Sequence, residues 1–391
     1  MHNDQDIDVW KAESMRKSVT TLAIAGSIAA LALTACSSGS SDTGSGGSSG
    51  GASGGSSSGS SATDGKGTKV GIILPDTQSS QRWVTGDPVA LKAGCEASNL
   101  DCDIQNANGD AANMKTIASS MLADGVKILM IVNLDSASGA AIEKQAADQG
   151  VTTIDYDRLT LGGSAAAYIS FDNTKVGELQ GQALVQCSQV QGLPAVKYVD
   201  LNGSPTDNNA TLFKQGYDSV LSQQAGWSKV ADQSIADWDN TTAGTTFASI
   251  LQANPDINAV MVANDGMANS VIGQLTTQGL NGKVAVSGQD ATSQGLQHIL
   301  DGDQCFSIYK PYKKEADAAI KAMVEIANGG QPTTTGTVKD TQTNTDVPAI
   351  LETPVTITKD NVSDPITGGD VSKDEVCTGS YADKCAAAGI S

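Results

Sequence analysis

Just past the apolar runs of this 391-residue chain stand Arg82, Trp83, Asp157, Arg158, Asp207, Asn208, Asn209, Trp238, Asn264, Asp290 and Lys310. Carboxylates, carboxamides and guanidiniums are planar and can engage neighbouring hydroxyls two at a time, while an indole covers a weakly apolar C–H face. Cations do not outnumber carboxylates in this set, so it suits an uncharged polyol such as a sugar rather than an anion. Taken singly, each residue also reads as a cap, a turn or a core side chain. Asp207 and Asp265 precede helical stretches and fit N-caps, and Trp83 fits a core. Only their recurrence at strand ends makes them a site.

Other chemistries find little support. The chain has two histidines, His2 and His298, too few for multi-histidine metal sites, and no metal or cofactor is expected. Asp200-Leu-Asn202-Gly-Ser204 opens like a calcium loop, but its sixth position is Pro205 and its twelfth is Thr211 rather than Glu. The serine-hydrolase pattern at Gly55-Ser-Ser-Ser-Gly59 lies in a Ser/Gly tract with no strand before it. Asp157, Asp207 and Asp290 could supply a glycosidase acid/base pair, yet they come mixed with amides and cations, as in a binder. A net charge of −19, from 43 acidic and 24 basic residues, argues against nucleic acid as a partner. The chain carries no GxxxxGK[ST] loop, so it is not itself an ATPase.

These residues need a frame. Val70–Leu74, Cys102–Asn106, Ile128–Val132 and Val151–Asp155 read as buried parallel strands. Helices are expected near Asp87–Ser98, Ala111–Ala123 and Ala137–Gln149. A second set follows at Val196–Asp200, Val230–Ile235, Ala259–Ala263, Val284–Gly288 and Phe306–Tyr309. Gly125, Gly150 and Gly192 sit where helices end and a left-handed residue is wanted. The alternation predicts an α/β fold of two doubly wound parallel-sheet lobes, with ligands beyond the carboxyl ends of the strands.

The first 68 residues read as an address and a tether. Met15-Arg16-Lys17 precedes an apolar run, Leu22–Leu33, that is too short to span a bilayer. Met15 therefore reads as the start, since the acidic stretch Asp4–Asp8 does not suit a signal. Leu33-Thr34-Ala35-Cys36 resembles a lipobox, so residues 1–36 are expected to be a lipoprotein signal region that leaves a lipid on Cys36. The Ser/Gly-rich stretch at 37–68 is a flexible leash with a reach of about 30 Å. Six further cysteines remain, an even number in an exported chain: Cys95, Cys102, Cys187, Cys305, Cys377 and Cys385. Cys95 with Cys102 and Cys377 with Cys385 are near in sequence, leaving Cys187 with Cys305, although six cysteines allow 15 pairings.

Tyr168-Ile-Ser-Phe-Asp-Asn-Thr-Lys-Val-Gly-Glu-Leu-Gln180, Gly203-Ser-Pro-Thr-Asp-Asn-Asn-Ala-Thr-Leu-Phe213, Ser287-Gly-Gln-Asp-Ala291 and Ile308-Tyr-Lys-Pro311 resemble the xylose-binding proteins of bacterial ABC importers, which are type I periplasmic binding proteins. The resemblance implies a three-crossover hinge near Asp172, Lys310 and Asp346. It divides the chain into an N-terminal lobe (69–172 plus 311–346), a C-terminal lobe (173–310 plus 347–362) and a Cys-containing tail at 363–391. It also implies that the eleven residues above bind one monosaccharide, xylose or a related aldose such as glucose. The implied partners are an ABC permease with its ATPase subunit, and the membrane only through the lipid. The implied form is a non-enzymatic monomer. Gln81 and Ser234 depart from that pattern, standing where the family usually has an acidic residue and often a Trp. A sugar repressor would need a basic helix-turn-helix in place of the tether. A sugar sensor would use the same cleft.

Overall fold

The computed structural model describes residues 64–390. The signal region, Cys36 and the tether up to residue 63 lie outside the described residues.

The chain first builds β1 (Thr68–Leu74), α1 (Asp87–Ala97), β2 (Leu100–Asn106), α2 (Ala111–Ala123), β3 (Ile128–Ile131), α3 (Ser136–Ala147), β4 (Thr152–Tyr156) and β5 (Ala167–Phe171). It then crosses to a second lobe of α4 (Asn173–Gln186), β6 (Val196–Asn202), α5 (Asn208–Leu221), β7 (Trp227–Ser234), α6 (Asn240–Ala253), β8 (Ala259–Val262), α7 (Asp265–Thr277), β9 (Ala285–Val286), α8 (Ser293–Asp301) and β10 (Ser307–Tyr309). It returns to the first lobe for α9 (Tyr312–Ala327), β11 (Gly336–Asp340) and β12 (Thr345–Glu352). It crosses a last time to β13 (Val355–Ile357) and a tail with short helices α10 (Asp364–Thr367), α11 (Lys373–Val376) and α12 (Tyr381–Ala387).

The first lobe is a seven-stranded sheet in the order β11-β12-β5-β4-β3-β1-β2, parallel except for the β11–β12 hairpin at its edge. The second is a four-stranded parallel sheet, β7-β6-β8-β9, with an antiparallel β10–β13 pair alongside. Every residue of β3 and β8 is buried, because helices cover both faces of each sheet. Asp110, Asp135, Asp172, Asp207 and Asp239 each cap a helix through backbone N–H groups of its first turn. Gly125, Gly150 and Gly192 end their turns at φ of +82°, +70° and +77°, the left-handed values expected of them.

Two expectations need correction. The third crossing was placed near Asp346, but β12 continues to Glu352 and pairs in parallel with β5, Ala349 opposite Tyr168 and Glu352 opposite Phe171. Residues 347–352 thus belong to the first lobe, and the crossing falls at Thr353-Pro354, before β13 joins β10. Asp265 is not a cap. Asn264 takes that role through the N–H of Met267, and Asp265 is the first, fully buried residue of α7. The cysteines pair as Cys95–Cys102, Cys187–Cys305 and Cys377–Cys385. The tail is no loose appendage, since Val376, Cys385 and Ile390 join Leu296, Ile299 and Leu300 of α8 in one apolar cluster.

Candidate functional site

Strands of both sheets end on the cleft between the lobes, and the loops that follow them carry the polar residues. After β1 a π-helical turn, Arg82–Gly86, turns the Arg82 guanidinium inward. Its Nε and Nη2 donate to Asp87 at 2.7 and 2.6 Å, Nη1 to Asp157 at 3.0 Å, and Nη2 also to Glu315 at 2.5 Å. The plane lies 4.4 Å from the Trp83 ring centroid. Of the five N–H groups an Arg offers, one is left uncommitted. Burial alone would lower the Arg82 pKa, but Asp87, Glu315 and Asp157 outweigh it and hold it well above its ordinary value. Burial pushes the Glu315 carboxyl up to about 8, and the Asp157 and Asp87 charges add to that against the pull of Arg82.

Asp157 follows β4 in a left-handed conformation, φ 59°, which costs a non-glycine residue about 1–3 kcal/mol. Its Oδ2 lies 3.6 Å from Lys310 Nζ, which is 3.5 Å from Asp290 Oδ1. Burial would raise the Asp157 pKa, yet Lys310, Arg82 and Arg158 bring it below the usual carboxylate value. Burial would lower Lys310, but Asp157 and Asp290 keep it raised. Asp290 (φ 91°) and Trp238 (φ 55°) share the left-handed backbone, so three of the expected residues sit at strained positions where their strands end. Such strain persists only where the surrounding structure holds it in place.

Several contacts cross between the lobes here. Arg158 Nε meets Asp207 Oδ2 at 3.0 Å, and Lys310 approaches Asp157. Asn209 Nδ2 donates to the Asp157 carbonyl at 2.9 Å, Asn264 Nδ2 to the Ser79 carbonyl at 2.9 Å, and Ser80 Oγ to Asp290 Oδ2 at 2.9 Å. The Trp238 Nε1–H points at Asp207 Oδ2, 3.2 Å away, and its ring stands edge-on to Phe213. Asp207 is raised by burial despite Arg158.

These side chains surround one narrow cavity, lined by Arg82, Trp83, Asp157, Arg158, Asp207, Asn209, Trp238, Asn264, Asp290 and Lys310. Asn208 is the one expected residue that does not line it. It begins α5, and a helix turns its next residue about 100° away, so Asn209 faces the cavity and Asn208 does not. Ser79, Ser80, Phe213 and Gln289 also line the cavity and were not singled out. All four fall inside the loops and motifs that carry the other residues, which was the available signal. Asp87, Tyr156 and Glu315, which fix Arg82 from behind, carried none.

The arrangement offers donors and acceptors on both walls and an indole on each. Elsewhere among the described residues, Asp200, Asp218 and Asp232 gather within metal-binding reach of one another, but Lys214 and Lys229 already sit among them.

A family model described as a periplasmic binding protein domain matches residues 70–331. Over 309 residues the chain is 34% identical to a D-xylose-binding periplasmic protein of Escherichia coli (strain K12), covering 78% of this chain and 91% of that protein. It is 30% identical over 325 residues to a multiple sugar-binding periplasmic receptor of Rhizobium radiobacter, with 78% and 90% covered. A carbohydrate transporter solute-binding protein from Chloroflexus aurantiacus, solved in complex with D-glucose, superposes with a TM-score of 0.70 at 28% identity, covering 79% of this chain and 98% of that one. These relatives are solute-binding proteins, not enzymes. By the matched domain, the identity and the two-lobed α/β architecture together, this chain belongs to the periplasmic binding proteins of type I fold.

Proposed function

We propose that this chain is the substrate-binding component of an ABC-type monosaccharide importer and that it takes D-xylose or a related aldose such as D-glucose. The observation that carries the reading is the convergence of Asp157 and Arg158 from one lobe with Asp207, Asn209, Asn264 and Asp290 from the other on a single cavity. A sugar there exchanges hydroxyl bonds with groups that otherwise bond each other across the cleft. Trp83 and Trp238 cover its C–H faces.

A ligand that touches both lobes stabilises the closed arrangement over the open one by its differential contacts, and only such a ligand can drive closure. The three strands of chain at Phe171–Asn173, Tyr309–Tyr312 and Glu352–Val355 are the hinge. The closed pair of lobes then presents one surface to a membrane permease. The lipid expected on Cys36 holds the protein near that permease. The net-neutral polar lining favours an aldose over its uronic acid or phosphate, because an added anion would meet Asp157, Asp207 and Asp290.

Isothermal titration against xylose, glucose, galactose, ribose and arabinose tests this. Saturable one-to-one binding of xylose or glucose, with none for glucuronate, is expected. No heat from any of the five aldoses would defeat the proposal.

A further inference from the structure

The tail at 363–390 has no role in the cavity, yet it is fixed at many points to the second lobe. Its disulfide Cys377–Cys385 closes α11 onto α12. Ser293 and Gln297 of α8 bond Glu375 and the Val376 carbonyl, and Tyr381 and Lys384 both engage Asp301. Tail residues share an apolar cluster with Ala291, the neighbour of Asp290.

From this base the tail reaches Asp370 towards the Lys310-Pro311 crossing. The Tyr309 hydroxyl, on the second-lobe side, donates to the Asp370 carboxylate. The Tyr312 hydroxyl, on the first-lobe side, donates to the Asp370 backbone carbonyl at 2.6 Å. One tail residue thus grips both ends of a hinge segment. The Tyr312 ring in turn packs on Gly86, where an added Cβ would lie 2.8 Å from the ring, and stands 5.8 Å from the Arg82 guanidinium.

We propose that the disulfide-closed tail braces this hinge crossing, with Asp370 and Tyr312 as positioning residues that favour the closed arrangement and so set sugar affinity without touching the sugar. The inference rests on the hinge-closure reading above for its effect on affinity, but not for its effect on shape. The Tyr312–Asp370 bond joins a side chain of one lobe to a segment anchored on the other. It is made in the arrangement where Ser80 meets Asp290 and Asn264 meets Ser79, so opening has to stretch or break it. Its loss shifts the equilibrium towards open by the worth of one hydrogen bond.

The test uses the full chain and two variants, Tyr312→Phe, which keeps the ring and removes the donor to the Asp370 carbonyl, and Asp370→Ala, which removes the carboxylate that the Tyr309 hydroxyl grips. Small-angle scattering without sugar reads shape, and stopped-flow dissociation of xylose or glucose reads affinity. Each variant should be more extended than wild type in the absence of sugar and release sugar about three- to tenfold faster. The ratio of xylose to glucose affinity should stay unchanged. A lowered melting temperature with unchanged scattering and unchanged release would overturn the proposal, because a merely structural contact gives that result. Altered scattering together with no sugar binding by wild type would uphold the brace and defeat the proposed function instead.

Discussion

The cleft and the β6–β7 edge of the second lobe hold the same kind of cluster. In the cleft, Arg82, Arg158 and Lys310 stand among Asp87, Asp157, Asp207, Asp290 and Glu315, and at the edge, Lys214 and Lys229 stand among Asp200, Asp218 and Asp232. Distances do not separate them. Lys229 lies 2.6 Å from Asp200 and from Asp218, as close as Arg82 lies to Asp87. Burial and membership do. The cleft cations are about 5–7% exposed, against 25% and 32% for the edge lysines. The cleft groups are also divided between the two lobes, whereas the edge groups all belong to one. On the proposed hinge reading, like chemistry would bias a conformational equilibrium in the cleft, whereas at the edge it can act only within one lobe.

Truncating a cleft group should have the largest effect. Arg158→Ala or Asp290→Ala removes a buried charge that the proposed function places against the sugar, and xylose or glucose affinity should fall by at least about 100-fold in titration calorimetry. A loss under about fivefold would show that the cleft cluster, like the edge cluster, is structural.

Next comes pH. Glu315 titrates near 8 in the folded chain against 4.5 for an ordinary glutamate, and burial raises Asp265 to about 7. Folded protein therefore keeps protons that the unfolded chain releases at lower pH. The stability these groups contribute is fully present below about 4, the range where both ordinary carboxyls titrate, and is lost as pH rises through about 7 to 8. Glu315→Gln, which cannot ionise, should flatten that fall by on the order of 4 kcal/mol in denaturant melts between pH 5 and about 8.5. An unchanged slope would mean that Glu315 stays ionised beside Arg82.

At the edge, burial also raises Asp200, to about 6, but Asp232 goes the other way. At Asp232 burial is outweighed by bonds from Lys214, Asn202 and Lys229, and its pKa falls to about 2, so it stays charged throughout that range. The smallest effect is expected from Lys214→Ala. Two of its partners, Asp218 and Asp232, are about a third exposed and Lys229 remains among them, so stability should fall by about 0.5–1 kcal/mol and sugar affinity should hold within about twofold. A tenfold loss of affinity would erase the distinction between the clusters.

What could be read from the chain before folding follows the same division between local and distant interactions. The strands β1, β3 and β8 are short apolar runs, and their burial on both faces is written in them. The strand β12 carries Asp346 and Pro348 in a polar opening, and it is held in the first lobe by pairing with β5, some 180 residues earlier, which no local pattern records. Asp157, Arg158 and Asp290 stood out because they end strands. Asp87 and Glu315 lie within the first turns of helices, where acids usually answer the helix dipole, and only packing turns them on Arg82. The tail's purchase on α8 and Tyr309 is entirely tertiary, so no local pattern in the chain announces it.

A crystal structure grown with D-xylose, or with D-glucose if xylose does not bind, is the most direct measurement. One pyranose is predicted in the cavity, touched by Arg158 or Asp157 from the first lobe and by Asn264, Asp290 or Asn209 from the second, with an indole on its face. A sugar held by one lobe alone, or seated away from these side chains, would contradict the account.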